Sequence, residues 1–570
     1  MDARKANGVF YTPPSLVRYI VRKTIGPVLA EVPASGTRPR ILDPACGDGA
    51  FLVEVFRYLQ EHAARRAAAS EHTVLLEQVF GVDIDATALA TARRGLIRMA
   101  AVAGEGDRRA AAAVSDLESL VERQLREGDA LLSLNDTKPP QIPHDQGCRS
   151  FSWRAEFPAV FADSDGGFDA IVGNPPYVNI RRLTRTRGDA AKRYFRSRYA
   201  CARGAYDMYV LFVERAFQLL RSGGYCGFVV PNKIAAAEYA RACRSLLLRQ
   251  ASLQEIVDVS EMQAFPDAGV YPYVIIWRKE KPRQAHQVIF YQARSPASLS
   301  RPKVTLRIRQ SALCADTGFP LEPSLDLESR VASIPLAEMA DLHSGTTGFV
   351  AQQVAQSLAE REDFEGSDAF EFIVSGNIDR YEIRPGDVRY MKRVFRRPVL
   401  AANCGLLTSN KRQLYRSPKI VVAGMTRRLE AAWDAGGLSL GVQVYAARPQ
   451  QDPWFVLGVL NSKLMSYLYR LRFPAKHLAG GFLAINKRQL GQLPMRSIDA
   501  VSAREREQHG QVVRRVRRLT TLYARRQGGN RSTRLNGEIA RIDREIDQLI
   551  YQLYALTPTE IERVETAFAA

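Results

Sequence analysis

From residue 40 to about 280, short apolar runs rich in β-branched residues alternate with stretches of helical period. The runs predict strands at Arg40–Asp43, Val79–Asp85, Glu127–Leu131, Phe168–Gly173, Tyr225–Pro231, Leu253–Val259 and Val270–Trp277. Strands interleaved with helices predict a doubly wound α/β domain with a largely parallel sheet. The last two lie about ten residues apart, too close for a helical crossover, and are expected to pair antiparallel as a hairpin at the sheet edge. Residues 133–167 hold Pro, Asp, Ser and Gly without periodicity, and predict a surface loop inserted before the fourth strand.

Beyond residue 280 the pattern is irregular. From about 335 to 500 it shows short strand-like pieces such as Lys419–Ala423 and Leu440–Tyr445, then the helical Trp454–Leu471, which predict a second domain of α+β character. From 501 onward the chain reads as helical. Ile539, Ile542, Ile546, Leu549 and Leu553 make one apolar stripe, and Thr557-Pro558-Thr559-Glu560 has the form of a capping box opening a last helix. The expected domains are 1–335, 336–500 and 501–570.

Composition changes this picture in one respect, its charge. The 570 residues carry 80 Lys and Arg against 60 Asp and Glu, a net charge of +20, which points to a polyanionic partner. No apolar run approaches the roughly 18–20 residues that span a bilayer, and the start MDARKANGVF lacks the apolar core of a signal peptide. The protein is expected to stay in the cytoplasm with no membrane partner. Its seven cysteines are an odd number, widely spaced and without a C-x-x-C pair, which argues against a disulfide framework or a zinc ribbon. The histidines show no metal-ligand spacing, so no metal is expected.

Three segments carry candidate chemistry. The first, Ile41-Leu42-Asp43-Pro44-Ala45-Cys46-Gly47-Asp48-Gly49, is a strand running into a glycine-bearing turn and a helix, a place where backbone can approach a nucleotide-like ligand. It is neither G-x-G-x-x-G nor a Walker loop. Asp43 would repel a pyrophosphate and suits a ligand with an ammonium or sulfonium group. The second, Val79–Asp85, ends in acid. Asp83 stands where a carboxylate can accept both hydroxyls of a ribose, while Asp85 fits a helix cap.

The third segment, Phe168-Asp169-Ala170-Ile171-Val172-Gly173-Asn174-Pro175-Pro176-Tyr177, is the most informative. Two prolines after a buried strand fix the turn and remove N–H donors, leaving carbonyls as acceptors. The Asn174 side-chain oxygen and the Pro175 carbonyl can converge on one NH₂ group, with Tyr177 as an aromatic face. Two acceptors on the hydrogens of a conjugated amine favour rehybridisation and free its lone pair for attack on a methyl donor, without a strong base.

In order, Gly8-Val9-Phe10-Tyr11-Thr12-Pro13-Pro14, Asp43–Gly49, Val82–Asp85 and Asn174–Tyr177 resemble the gamma-class (TaqI-like) DNA adenine-N6 methyltransferases of restriction-modification systems. Tyr206–Glu214, Leu219–Gly224, Phe228–Pro231 and Phe265–Pro272 resemble later blocks of that catalytic domain, and Leu457–Lys463 with Ile485–Lys487 more loosely resemble its target-recognition region. The resemblance implies a Rossmann-like methyltransferase sheet, a target-recognition domain and S-adenosylmethionine as cofactor. By it, Thr12 lies near the methionine end, Asp43, Ala45, Cys46 and Gly47 line the donor, and Asp83 and Ile84 hold ribose and adenine. Asp129 accepts from the cofactor's amino group and Phe212 packs on its adenine. Asn174 and Pro175 accept from N6 of the target adenine, Pro176 stiffens the turn, Tyr177 stacks on the base and Phe265 presses from another side.

The stretch Arg181–Arg203, with nine Arg or Lys against one Asp, begins four residues after Tyr177 and is expected to grip phosphates beside a pocket for a flipped base. The resemblance implies double-stranded DNA as partner, and admits a cognate restriction endonuclease acting separately. Two other classes use some of these features: an RNA or protein-amide methyltransferase, and a non-catalytic DNA-binding subunit. The large second domain and the early Tyr-Thr-Pro-Pro segment favour DNA over the first. The intact Asn-Pro-Pro-Tyr disfavours the second, because recognition alone needs no methyl-acceptor pocket.

Overall fold

Alternate residues of the central strands bury on opposite faces of one sheet, which accounts for apolar runs without polar interruptions. The computed structural model describes residues 12–31, 38–65, 72–102, 110–132, 151–262, 271–300, 306–316, 318–319, 325, 327, 330–348, 350–384, 386–473, 482–498, 502–527 and 532–568. Two compact units divide the chain, Met1–Pro323 and Ser324–Ala570.

The first unit is built on strands β1 (Ile41–Asp43), β2 (Val79–Asp83), β3 (Leu125–Glu127), β4 (Phe168–Gly173), β5 (Leu220–Pro231), β6 (Ser252–Asp258), β7 (Pro272–Arg278), β8 (Gln287–Gln292) and β9 (Leu306–Arg309). They form one sheet in the order β3-β2-β1-β4-β5-β7-β6-β8-β9. The first five are mutually parallel, and β7 runs antiparallel between β5 and β6. Leu42, Phe168 and Ile171 bury on one face; Ile41, Ala170 and Val172 bury on the other. Helices α1 (Pro14–Glu31), α2 (Ala50–Arg65) and α3 (Ala86–Val102) cover the second face, and α4 (Ile180–Arg198) and α5 (Tyr209–Leu219) cover the first. The expected doubly wound architecture is present.

Three local features differ from expectation. The β6–β7 pair forms antiparallel, but β8 joins β6 in parallel and β9 follows, so the pair lies inside the sheet. Val288 and Phe290 of β8 bury completely, a period-2 signal too short to stand out in an irregular stretch. Strand β3 ends at Glu127 because the Asp129 carboxylate accepts from the Leu131 amide (3.0 Å) and turns the backbone out of the ladder. Within the expected surface loop, Phe151, Trp153, Phe157 and Phe161 are buried and pack edge-on around Phe168 and Phe80. Their apolar area outweighs the turn-forming composition around them.

In the second unit the strands continue as β10 (Ala340–Ser344), β11 (Leu358–Glu360), β12 (Ala369–Ile373), β13 (Ile378–Asp379), β14 (Glu382–Ile383), β15 (Val388–Tyr390), β16 (Arg393–Phe395), β17 (Pro398–Ala401), β18 (Lys419–Ala423), β19 (Ala431–Asp434), β20 (Leu438–Leu440) and β21 (Val444–Pro449). Two four-stranded sheets result, β10-β21-β18-β19 and β11-β17-β12-β20. The piece expected as one strand over 440–445 is split, because Gln443 adopts a positive φ of 59° between β20 and β21. The helical 454–471 is likewise two helices, α6 (Pro453–Asn461) and α7 (Lys463–Arg472), the second capped by Ser462.

Helices α8 (Ala503–Gln527), α9 (Thr533–Leu553) and α10 (Pro558–Thr566) share one core with α6 and α7, so the segments expected as 336–500 and 501–570 are packed together. The α9 stripe buries Ile539, Ile542, Ile546 and Leu553. The Thr557–Glu560 capping box closes as expected. Among the described residues no helix is long and apolar enough to cross a membrane.

A buried ion pair ties the β-rich part of this unit to α9. Arg380 donates to both carboxylate oxygens of Asp543 at 2.6 Å and to the Asn461 carbonyl at 2.9 Å, with its side chain only 5% exposed. Removing the partner of a buried charge typically costs about 3–5 kcal/mol, and it is Arg380 that is buried. Asp543→Ala is therefore expected to lower stability by about that amount in denaturant titration. An Arg380→Met, Asp543→Leu double variant is expected to recover most of it.

Candidate active site

The order β3-β2-β1-β4 places the carboxyl ends of four neighbouring parallel strands at one edge, and the chain leaves β1 in opposite directions on its two sides. A crevice outside such a reversal is where open α/β sheets bind ligands. Asp43 closes β1, Asp83 closes β2, Asp129 follows β3 by two residues and Asn174 follows β4 directly.

Asp43 is 1% exposed and accepts from the Ala45 amide at 3.0 Å. Burial pushes its carboxyl up to about 8, against the Ala45 hydrogen bond and with help from the nearby negative charge of Asp83. Asp83 is also raised, by burial first. Its oxygens accept from the Gly47 amide (2.7 Å) and the Asp85 amide (2.8 Å), so it shapes the glycine turn as well as facing the crevice. Each oxygen retains a second lone pair.

Gly47 has a φ of 54°, and a Cβ there would meet no atom within 4 Å, so its side opens on free space. Gly49 differs: a Cβ there would lie 2.8 Å from Ala92 Cβ, and its smallness serves the approach of α2 to α3. The Cys46 side chain is buried in the core under the turn, and its backbone fixes the turn, the amide donating to the Val82 carbonyl (3.0 Å) and the carbonyl accepting from the Gly49 amide (2.9 Å). Ile84 is 40% exposed, an apolar side chain at the mouth beside Asp83. Asp85 caps α3 through the Thr87 and Ala88 amides (2.9 and 3.2 Å).

The acceptor motif begins where β4 meets Asp43. A Cβ on Gly173 would stand 2.7 Å from Asp43 Oδ1, so only glycine lets the two strand ends close up. Asn174 Nδ2 donates to Thr12 Oγ1 at 3.1 Å, bringing the segment before α1 against the motif. Pro175 is buried, while Asn174, Pro176 and Tyr177 are half-buried. The Tyr177 ring meets Tyr209 edge-on at 6.5 Å, and burial pushes its hydroxyl well up.

The motif is held from behind by the 205–209 segment. The Ile180 amide donates to the Tyr206 carbonyl (2.9 Å) and the Met208 amide to the Val178 carbonyl (2.8 Å). Asn179 Nδ2 donates to Asp207 Oδ1 at 2.7 Å, and Tyr239 donates to Asp207 Oδ2 at 2.7 Å. Phe212 lies three residues beyond Tyr209 on α5, 6% exposed. Arg215 donates to the Leu131 and Leu132 carbonyls (3.2 and 2.9 Å), fixing the turn that carries Asp129. Helix α4 follows, kinked at Gly188, with Arg181, Arg182, Arg193, Arg196 and Arg198 exposed.

Three family models match the chain: N-6 DNA Methylase over residues 1–108, Eco57I restriction-modification methylase over 77–265, and TaqI-like C-terminal specificity domain over 372–495. These models together support a likeness to the TaqI-like N6-adenine methylases. The type II restriction enzyme and methyltransferase RM.Eco57I of Escherichia coli is 27% identical over 300 residues, covering 48% of this chain and 28% of that enzyme. The type II methyltransferase M.PaeR7I of Pseudomonas aeruginosa is 25% identical over 243 residues, covering 42% of this chain and 35% of that one. The chain thus spans about a third of the length of these curated relatives. In fold it is similar to the Type IIL restriction-modification enzyme MmeI in complex with DNA, with a TM-score of 0.55 at 14% identity over 98% of this chain and 75% of that one.

Of the residues expected to carry the chemistry, Asp43 and Asp83 end strands at this edge of the sheet, Thr12, Ala45, Cys46, Gly47, Ile84, Asp129 and Asn174 to Tyr177 sit on its loops, and Phe212 lies on α5. Phe265 lies outside the described residues. Sequence reading missed Gly173, the Asn179–Asp207–Tyr239 clamp and Arg215. Asn179 alone left a signal, as a cap residue opening a helix.

Burial pushes the Asp43 carboxyl up to about 8 from its ordinary value of 3.8. Between these values the folded protein binds more protons than the unfolded chain. The stability this group supports is whole below 3.8 and is lost as pH rises through about 8. Compared with Asp43→Asn, the wild-type chain is expected to lose melting temperature steadily between pH 5 and about pH 8. A constant gap between the two across that range would contradict the assignment.

Proposed function

We propose that this chain is a site-specific DNA adenine-N6 methyltransferase and the modification activity of a restriction-modification system, working in the cytoplasm on double-stranded DNA. The observation that carries this reading is the meeting of Asp43 with the Gly173-Asn174-Pro175-Pro176-Tyr177 turn at the reversal of the sheet. A cation-seeking acid and an amine-accepting turn stand on adjacent strand ends, as transfer of a cationic donor's methyl group to an amine requires.

The residues present fit S-adenosylmethionine. Buried Asp43 gains a counter-ion from a ligand bearing positive charge, the open side of Gly47 leaves room for its backbone to approach, and exposed Ile84 supplies an apolar cover beside Asp83 for an adenosine. In this reading Asp43 and the turn 45–47 hold the methionine end with Thr12, Asp83 accepts from the ribose, and Asp129 and Phe212 hold the adenine. The cofactor, when bound, supplies an electrophilic methyl group on a sulfonium.

The chain's own part is to prepare the acceptor. Asn174 Oδ1 and the Pro175 carbonyl accept the two N6 hydrogens of a target adenine turned out of the duplex, and Tyr177 stacks on its face. As the lone pair leaves conjugation, positive charge grows on N6 opposite two fixed dipoles, which stabilise it without reorganisation. Asn174 and Pro175 hold the amine as it becomes the nucleophile; with the cofactor bound, its methyl carbon would pass from sulfur to N6, and the surplus N6 proton would leave to water. The Thr12 hydroxyl, accepting from Asn174 Nδ2, helps to fix the orientation of the amide. Exposed arginines of α4 grip phosphates around the extruded nucleotide.

Single-molecule sequencing of genomic DNA from cells expressing the chain is expected to show N6-methyladenine at one short motif. Asn174→Ala is expected to lower methyl transfer by at least about 10²-fold while S-adenosylmethionine binding stays within a few-fold. An unmodified genome, or full activity in Asn174→Ala, would overturn the proposal.

A further inference from the structure

The sharpest surface feature outside this site is the β15–β16 hairpin of the second unit. Its ten residues Val388–Arg397 include five cations, Arg389, Lys392, Arg393, Arg396 and Arg397, and no acid. The register pairs Val388 with Phe395, Arg389 with Val394 and Tyr390 with Arg393, leaving Met391 and Lys392 as a two-residue turn.

Directly opposed residues of an antiparallel pair share a face. The inner face is anchored: Val388, Tyr390 and Phe395 are buried, Tyr390 packs edge-on against Phe372 of β12 at 4.9 Å, and Arg393 lies over Phe395 while donating to the Ala355 carbonyl at 2.7 Å. Just beyond the hairpin, the Glu360 carboxylate accepts from the Arg396 and Arg397 amides at 2.9 and 2.8 Å. The outer face is the reverse. Val394 is 66% exposed beside Arg389, and the tip presents Lys392 and Met391, itself 38% exposed.

Two details separate this ribbon from an ordinary solvated face. A β-branched side chain, Val394, stands two-thirds exposed beside Arg389 on a face otherwise made of cations and Met391. The turn also forces φ values of 46° at Met391 and 68° at Lys392, a conformation that Asn-Gly adopts far more easily. Side chains are thus kept at the tip where the backbone alone would favour glycine, and such outliers gather at functional positions.

We infer that the outer face of this hairpin enters the major groove of duplex DNA and reads part of the target sequence. Resting on the proposed function above, it assigns specificity within that activity. The major groove admits a two-stranded ribbon, an arginine can pair with a guanine edge, and apolar side chains meet thymine methyl groups. Arg389 and Lys392 supply the polar contacts, Val394 and Met391 the apolar ones, while Arg396 and Arg397 at the anchored base are placed for phosphates.

The test is selection of bound duplexes from a pool randomised over 20 base pairs, with the full chain, followed by sequencing of the retained DNA. Arg389→Ala and Val394→Ser are each expected to erase the preference at one or two base pairs of the retained motif, by about tenfold or more, leaving its other positions intact. Lys392→Gly removes the cation while relieving the turn, so a changed motif in this variant with an unchanged melting temperature separates reading from folding. Arg396→Ala is expected to weaken all duplexes evenly and to flatten the salt dependence. The same motif and affinity in Arg389→Ala, Val394→Ser and Lys392→Gly would overturn the inference. Because binding alone is read, an unmethylated genome would remove the proposed activity without deciding this result.

Discussion

Everything at the site depends on a steric constraint between two strand ends. Asp43 and Gly173 lie on adjacent parallel strands, and the Asp43 carboxyl occupies the volume that any side chain at 173 would fill. With glycine there, the acid of the first strand and the acceptor turn of the fourth stand side by side at the sheet's reversal. The two halves of the proposed chemistry are thereby joined through adjacent strand ends rather than through a flexible loop. The supporting contacts follow from this closeness: Thr12 reaches Asn174, Asp83 fixes the Gly47 amide, and Asp207 holds Asn179 behind the turn.

Charge is handled differently in the two units. At the crevice, burial drives Asp43 towards the protonated form, which a bound cation would reverse. In the second unit a buried charge is already matched, with Arg380 paired to Asp543 and packed over Tyr381. The first arrangement leaves free energy available for binding, whereas the second spends its electrostatics on fixing β-structure to the closing helices. The net charge of +20 is carried by neither; it is displayed on surfaces such as α4 and the β15–β16 ribbon.

Much of this was legible in the chain. The positions of β1, β2 and β4 follow from apolar runs ending in acid or in Asn-Pro-Pro-Tyr, because strands buried on both faces tolerate no polar residue until they emerge. The α9 stripe and the Thr557–Glu560 cap were equally direct, being set by side chains three and four residues apart. Misreadings arose where a distant partner decided the outcome. The aromatic cluster at 151–161 is core only because Phe80 and Phe168 come to meet it, and β8 is a strand only because β6 offers an open edge.

The sequence by itself determined the elements and the residue types of the chemistry, since periodicity, capping and turn stiffness act within a few residues. Only the tertiary structure decided which of those residues meet. The juxtaposition of Asp43 with Gly173, of Thr12 with Asn174 and of Asn179 with Asp207 spans 28 to 162 positions of chain, and none leaves a local pattern because each is enforced by sheet order and packing. The same holds for the ribbon at 388–397. Its cations are visible in one line of sequence, but which of them are pinned to the protein and which face outward is settled by the register of two strands and the core beneath them.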